Sequence, residues 1–509
     1  MFLENRNRRV VPRWRDHKTT LALRELSNAR AKGPISADDT AALARRASEW
    51  HNNTTIWHAA DLLSSAYVVG IPDHYMDAID FILAHPEGAP TPLVDLAKKA
   101  ASPVERELAD VHQVDEEEEI RRRIHNARVR LRDEPRNAIL WVELSRMYML
   151  VGESVRALRS MEVAAQLGAD SRFVVRSAAR LFLHERDSSR ALQVIRRASG
   201  AKTDPWLLAA EIAVASASNS SPLLVRAGRL RNDDTNLSEF ERTELSSALA
   251  TLELEGGRDR KARQLFRRSL IAPNENSVAQ VEWANRQIGG LEIQGNLFHV
   301  PRSFEASAQI CLSNGEWRGA IECGENWLRD QPFSKSPAIF TSYVSSLIEE
   351  YESSIEILRT SLKLNPGDPT LINNLAFALA SNGEVAEATR ILAGTDYKKS
   401  TGTPGITLSA THGLVFFRAG MPDLGRELYQ LATERAAISG MQKYRLMADL
   451  YLAREELLAA TSVANVTAKR ALASAANSTD REVSAIADQV RRLCEKAIES
   501  ETRPARSIS

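Results

Sequence analysis

Apolar positions along this chain recur with the three- and four-residue spacing of amphipathic helices, and these helices come in pairs. Small residues mark the start of the second helix of a pair at a fixed interval. Ala157 and Ala191 are 34 residues apart, and Ala320, Ser354 and Ala388 repeat that interval. A fixed period of 34 residues over a helical pattern is typical of a helical-hairpin solenoid. The pattern therefore predicts an all-α fold of antiparallel helical hairpins.

Eight hairpins are predicted in the regular part of the chain. Their ranges are 138–169, 172–203, 206–236, 240–273, 302–332, 336–366, 369–396 and 405–438. Between Ala262 and Ala320 the spacing increases to 58 residues, with one further helix predicted at 277–287 around Trp283. We expect the glycine-containing stretch 288–301 to be a hinge or inserted loop between two blocks, 135–287 and 302–438.

The flanking regions depart from this register. Residues 1–33 are predicted to form a basic arm leading into a first helix, and 34–134 a divergent region of helical hairpins. Residues 439–500 are predicted to be capping helices, because a solenoid needs a terminal element with a polar outer face. Thr479 and Glu482 have the spacing of a capping box at the start of the final helix. The tail 501–509 is predicted to be frayed.

The most regular unit reads AILWVELSRMYMLVGESVRALRSMEVAAQLGAD, with the large residues Trp141, Leu144 and Tyr148, the turn glycine Gly152 and the small residue Ala157. This pattern resembles the tetratricopeptide repeat. The resemblance implies a right-handed superhelix of hairpins whose function is to bind protein rather than to catalyse a reaction. In two other repeats a different residue stands where the turn glycine is expected, namely Arg186 and Glu349.

In tetratricopeptide arrays the first helix of each hairpin lines a groove that takes an extended peptide or a partner helix. Carried over by position, the resemblance predicts groove residues in both blocks: Arg146, Met149, Phe173, Arg176, Arg180, Tyr343, Asn373 and Phe377. Arg146, Arg176 and Arg180 are expected to cluster, which favours an acidic peptide or phosphate ligand; the alternative is that they are ordinary solvated residues. The lysine–asparagine clamp of chaperone-binding members is not evident.

The chain has no net charge, because its 66 basic residues equal its 66 acidic residues. A charged binding partner would therefore have to be attracted by a local patch of charge. The most biased patch is the N-terminal arm, where arginines surround Trp14: Arg6, Arg8, Arg9, Arg13 and Arg15. It is interpreted either as a solvated tail or as an arm that grips phosphate and stacks Trp14 on a base. The second interpretation would make the chain a nucleic-acid-associated subunit of a larger complex. A third hypothesis is a peptide-sensing regulator.

Catalytic and metal-binding patterns are missing from the sequence. It contains no phosphate-binding GxxxxGK[ST] loop, no HExxH and no GxSxG, and its three cysteines lack the spacing of a metal site. No cofactor or metal is predicted. Trp57, Trp206 and Trp327 are interpreted as core residues. Without a signal-peptide pattern or a long apolar run, we expect a cytoplasmic protein with protein partners and no membrane partner.

Overall fold

The computed structural model describes residues 8–21, 37–69, 76–89, 93–94, 97–98, 116–291, 293 and 300–502. Within these ranges all regular structure is helical, which confirms the all-α prediction. The chain divides into two compact units, here called the N-terminal unit (Asn7–Ser303) and the C-terminal unit (Phe304 onward). No helix in the described part of the chain is long and apolar enough to cross a bilayer.

The N-terminal unit contains thirteen labelled helices within the described ranges. They are α1 (Ala37–Asn52), α2 (Ile56–Val69), α3 (Met76–Ala84), α4 (Glu116–Asp133), α5 (Ala138–Leu150), α6 (Ser154–Leu167), α7 (Arg172–His184), α8 (Ser188–Arg197), α9 (Pro205–Ala217), α10 (Val225–Asn232), α11 (Glu239–Glu255), α12 (Asp259–Ser269) and α13 (Glu275–Ile288). Successive helices pack on each other across short connections, as in antiparallel hairpins. The first helices of these hairpins are α5, α7, α9 and α11, and α13 follows as the next in the series.

The C-terminal unit repeats this arrangement. Its helices are α14 (Phe304–Asn314), α15 (Trp317–Asp330), α16 (Lys335–Leu347), α17 (Tyr351–Leu364), α18 (Pro369–Ser381), α19 (Val385–Leu392), α20 (Gly402–Arg418), α21 (Pro422–Ile438), α22 (Gln442–Leu458), α23 (Ala464–Ala475) and α24 (Arg481–Thr502). One apolar core runs through it from Ala308 to Val490. The final helix α24 packs on α22 and α16.

The small residues that repeat every 34 positions lie where two helices approach closely. Ala157, Ala191, Ala320, Ser354 and Ala388 are all fully buried. Small side chains at such crossings let helix backbones come close, while large neighbours fill the adjoining space. The periodic signal in the sequence therefore corresponds to helix crossings.

The turn inside each hairpin requires a left-handed backbone conformation. Gly152 and Gly383 have φ values of 75° and 92°. Arg186 and Glu349, which occupy the glycine position in two repeats, have φ values of 61° and 68°. The turn geometry is thus kept where the glycine is replaced, although side-chain-bearing residues adopt it at an energetic cost.

Two predictions made from local pattern are wrong. The final helix is capped by Asp480 rather than Thr479, because Asp480 Oδ1 accepts from the backbone N–H groups of Glu482 and Val483 at 2.9 and 3.2 Å. Trp57 is 67% exposed and is not a core residue, whereas Trp327 is buried as expected. Apolar neighbours in sequence did not show which side of the short helix α2 faces the core.

Some predicted features lie wholly or partly outside the described residues. They are Arg6, residues 22–31 of the first predicted helix, residues 34–36, 70–75, 90–92, 95–96 and 99–115 of the predicted divergent region, residues 292 and 294–299 of the interrupting loop, and residues 503–509 of the tail. The predicted boundary of the hinge and the block limits stay predictions.

Candidate functional site

The first helices of the N-terminal unit form a surface, here called the groove, that is occupied by the start of the chain. Residues 8–16 have no helical structure and run from α13 to α5 and α7, where helical residues 17–21 begin. Residues 8–21 are the described part of the predicted basic arm, and from here on they alone are called the arm. A non-helical stretch of this length can reach about 30 Å, enough to pass several packed helices.

Two amide side chains of α13 bind the backbone of the arm. Asn276 Nδ2 donates to the carbonyl oxygen of Val11 at 3.1 Å, and Gln280 Nε2 donates to that of Arg8 at 3.0 Å. Asn276 Oδ1 also accepts a hydrogen bond from the guanidinium of Arg8. Asn276 and Gln280 are both fully buried. They satisfy backbone groups that would otherwise lose their hydrogen bonds on leaving water.

Arginines of the arm meet carboxylates of the groove. Arg9 forms an ion pair with Glu255 at the end of α11, and its guanidinium carbon lies 5.9 Å from the ring centroid of Trp283. Arg15 pairs with Glu275 at 2.7 Å, and both side chains are largely buried. Removing one partner of a charged pair that is shielded from water lowers the free energy of unfolding much more than removing one partner of an exposed pair.

Apolar side chains of the arm enter the core of the unit. Val10 is 1% exposed and packs in a cluster with Leu208, Leu245 and Leu249 from α9 and α11. Trp14, the residue proposed to stack on a nucleic-acid base, is also 1% exposed. In this state the indole ring is therefore closed off from an external base.

The arm ends against α5 and α7. The backbone N–H of His17 donates to Glu143 Oε1 at 2.7 Å, and its ring stands edge-on to Phe173 at 4.9 Å between centroids. Burial lowers the pKa of His17, although Asp16 acts in the opposite direction. Burial raises the pKa of Glu143, partly offset by the His17 N–H and by Arg146.

The three arginines predicted to cluster in the groove are placed around the arm, each in a different role. Arg176 pairs with Glu244 at 2.8 Å, and the same carboxylate accepts from Asn276 at 3.0 Å. Arg180 is half-buried; burial lowers its pKa to about 10, and the nearby charge of Arg13 acts in the same direction. The charge of Arg146 opposes the effect of burial on both Asp16 and Glu143: the pKa of Asp16 is lowered overall, mainly by hydrogen bonds from Thr19, and that of Glu143 stays raised.

The residues that contact the arm most directly were not identified from the sequence. They are Glu143, Glu255, Glu275, Asn276 and Gln280. A signal was present in α13, where Asn276 and Gln280 are one turn apart and therefore lie on the same face of the helix. Nothing in the local sequence, however, connects that face to residues 8–15.

In the C-terminal unit two of the predicted groove residues, Tyr343 and Phe377, contact other helices of the same unit, and the third, Asn373, bonds to its neighbour on the same helix. The Tyr343 hydroxyl donates to Glu482 of α24, and Gln489 of the same helix donates to the carbonyl oxygen of Leu347 at 2.8 Å. Phe377 stands edge-on to Tyr451 at 5.4 Å between centroids. Asn373 Nδ2 donates to Asn374 at 3.3 Å. Thus α24 lies on the first-helix surface of this unit, as the arm does in the N-terminal unit.

In the described part of the chain, no group of three or more His, Cys, Asp or Glu side chains is arranged to hold a metal ion. The three cysteines are free and half-buried, and burial raises the pKa of each thiol, which disfavours the reactive thiolate.

The hairpins, the buried small residues every 34 positions and the left-handed turn residues agree with the predicted resemblance to tetratricopeptide arrays. The chain therefore has an all-α fold of antiparallel helical hairpins. No protein-family model matches it, and no curated protein does.

Several solved structures resemble the chain at low identity. Yeast Tom70 is 10% identical, over 92% of this chain and 98% of Tom70, with a TM-score of 0.30. A human IFIT1 dimer with PPP-AAAA is 11% identical over 95% and 100%, with a TM-score of 0.29. The TPR domain of P58(IPK) is 14% identical over 76% and 95%, with a TM-score of 0.21. At these values the likeness carries no argument about ligand or partner.

Proposed function

We propose that this chain is a non-catalytic scaffold that binds other proteins, and that the groove of the N-terminal unit holds an extended polypeptide segment. The observation that carries the proposal is the pair of hydrogen bonds from Asn276 and Gln280 to the carbonyl oxygens of Val11 and Arg8. Buried amides that bind a peptide backbone accept many sequences in an extended conformation. The arm serves as a ligand that the chain itself supplies.

Side-chain contacts define the ligand that the groove prefers. Glu255 and Glu275 each pair with an arginine of the arm, Val10 packs in an apolar cluster, and Trp14 is buried. These contacts favour a basic, aromatic-containing segment over the acidic peptide that the sequence suggested. The groove arginine Arg176 supports this preference, because its charge is already matched by Glu244.

A partner would have to compete with the arm. A segment tethered to its own binding site has an effective concentration in the millimolar range, so a partner of similar sequence is excluded until the arm leaves. In the resting scaffold the arm occupies the groove, and a partner segment that binds more tightly than the arm displaces it.

The test uses a chain that lacks residues 1–21 and a synthetic peptide of residues 7–21. Calorimetry is expected to show binding at around micromolar strength, or about 8 kcal/mol. The intact chain should bind the same peptide at least about tenfold more weakly, because the arm competes in cis. A peptide with Arg9→Glu and Arg15→Glu is the control and should not bind.

A substitution in the groove distinguishes recognition of the peptide backbone from non-specific binding. In the shortened chain, Asn276→Ala should weaken peptide binding by about 1–3 kcal/mol, because the carbonyl of Val11 loses its donor. The matched control is Asn382→Ala, at the exposed residue that follows α18, whose side chain donates a hydrogen bond to Glu384. If the shortened chain keeps its helical circular dichroism and still binds no peptide, the proposal is wrong.

The nucleic-acid hypothesis receives less support from these contacts. Arg9 and Arg15 are paired inside the groove and Trp14 is buried, so phosphate contacts would require the arm to leave. If the arm is the binding element, the intact chain should bind a fluorescent single-stranded RNA in low salt and the chain without residues 1–21 should not. We expect no difference between them.

A further inference from the structure

A cavity of about 440 Å³ opens between α4, α5 and α6 of the N-terminal unit. Arg128 and Arg132 of α4 form one wall, and Arg156 and Arg159 of α6 form another. None of these residues takes part in the contacts with the arm described above. The cavity is therefore a second candidate site, independent of the groove and of the proposed function.

The described residues that line this cavity carry positive charge alone, because they include four arginines and no carboxylate. Arg156 pairs with Glu153 at 2.7 Å, but Arg128, Arg132 and Arg159 form no ion pair with any residue in the described ranges. Guanidinium groups that converge without counter-charges create a local positive potential that a multiply charged anion would relieve.

The inner side of the cavity is apolar and partly aromatic. Leu131, Leu144 and Tyr148 are buried beneath it, and Trp141 forms its edge. The indole N–H of Trp141 donates to the carbonyl oxygen of Pro135 at 2.9 Å, which fixes the orientation of the ring. A rigid, half-exposed indole is a good surface for stacking a flat ring.

We propose that this cavity binds a nucleoside phosphate, with the base on Trp141 and the phosphates between the arginines of α4 and α6. The two features of the lining require a ligand with a planar ring and several negative charges. Guanidinium groups bind phosphate oxygens in bidentate geometry, which suits arginine better than lysine for this task. The volume falls within the usual range of small-molecule sites.

The experiment measures binding to the full chain by calorimetry, with ATP, inorganic tripolyphosphate and adenosine as probes. ATP is expected to bind, and each of the other two at least about tenfold more weakly, because each lacks one of the two features. No detectable ATP binding up to about 1 mM would overturn the proposal. Tripolyphosphate binding as tightly as ATP would overturn the role of the ring.

Variants test the location of the site. Arg128→Glu and Arg159→Glu should each weaken ATP binding by at least about tenfold. Arg130→Glu is the matched control: Arg130 lies on the same helix, outside the cavity, and its contact is with Glu134 at 3.8 Å. All three side chains are exposed, so the fold should persist, which circular dichroism checks. An equal loss in the control, or tighter binding of a phosphotyrosine peptide than of ATP, would refute the assignment.

Discussion

The buried carboxylate of Glu244 holds the central hydrogen-bond donor of the groove in place. It accepts from Asn276 and Asn274 at 3.0 and 3.2 Å and pairs with Arg176 at 2.8 Å. Removing one partner of a buried ion pair costs about 3–5 kcal/mol, because the other charge stays buried and uncompensated. Arg176 is therefore a positioning residue that acts on the arm through Glu244 and Asn276.

His17 makes docking of the arm dependent on pH. Burial lowers its pKa in the docked state, so the released arm binds a proton more readily than the docked arm does. The stability that His17 contributes is present above about pH 6.5 and is lost as the pH falls through its lowered pKa. We therefore predict that affinity of the peptide of residues 7–21 for the chain lacking residues 1–21 decreases from about pH 7.5 to pH 5.5.

The matched peptide carries His17→Gln, which keeps the backbone donor to Glu143 and removes the titrating ring. Its affinity should change less over the same range. Glu143 acts in the opposite direction, because burial raises its pKa and the docked state binds a proton more readily. That contribution is common to both peptides, so the difference between their pH dependences reports on His17. A loss of affinity on acidification that is no greater for the unmodified peptide than for the His17→Gln peptide would contradict the role given to His17.

At the scale of the element, the turn between the two helices of a hairpin depends on a residue with a left-handed backbone conformation. Gly383 has a φ of 92°, and a Cβ built on it would meet no atom within 4 Å, so only the backbone conformation requires glycine there. We predict that Gly383→Ala lowers the free energy of unfolding by about 1–2 kcal/mol. Urea denaturation followed by circular dichroism measures it.

Gly394 supplies the control for this prediction. It has equally open surroundings and no left-handed φ. Gly394→Ala should therefore leave stability unchanged or raise it by a few tenths of a kcal/mol, because alanine restricts the unfolded chain. Equal losses in both variants would show that the left-handed turn is not the cause.

Elements were predictable from the sequence where their signal is local. The helix start marked by Ala157 was indicated by the 34-residue spacing and the turn at Gly152 by the resemblance to the tetratricopeptide repeat, whereas the left-handed conformation of Arg186 was not predicted. The choice between Thr479 and Asp480 as cap was not predictable, because adjacent residues of similar capping tendency compete. Spacing identifies a helix start to within a residue or two.

The candidate site was predictable only in part. The sequence predicted binding roles for Arg146, Arg176 and Arg180 and for the basic arm, but it did not predict that the arm lies in the groove. Arg9 and Glu255 are 246 positions apart in sequence. The 34-residue period of the sequence cannot predict such a contact, since the contact depends on how the helices stack. Burial of Trp14 follows from the same packing and changes the expected ligand of the groove.

At the scale of the whole molecule, each unit has its own means of covering its first-helix surface. The N-terminal unit uses an extended segment bound through its backbone carbonyls, and the C-terminal unit uses the amphipathic helix α24, whose Val483, Ile486 and Val490 are buried. Terminal segments that cover such surfaces limit the apolar area exposed at rest. A partner of the first surface is expected to be extended, whereas the second fits a helix.

The self-contained core of the C-terminal unit leads to a prediction about folding. Its apolar cluster is drawn from residues between Ala308 and Val490, with α24 included. A segment with its own core can fold alone. We predict that residues 304–509, expressed separately, are helical and unfold in one cooperative transition in urea. The same fragment ending at residue 480 should unfold at lower urea concentration, because it exposes the surface that α24 covers. A fragment 304–509 that lacks a cooperative transition would show that this unit depends on the rest of the chain.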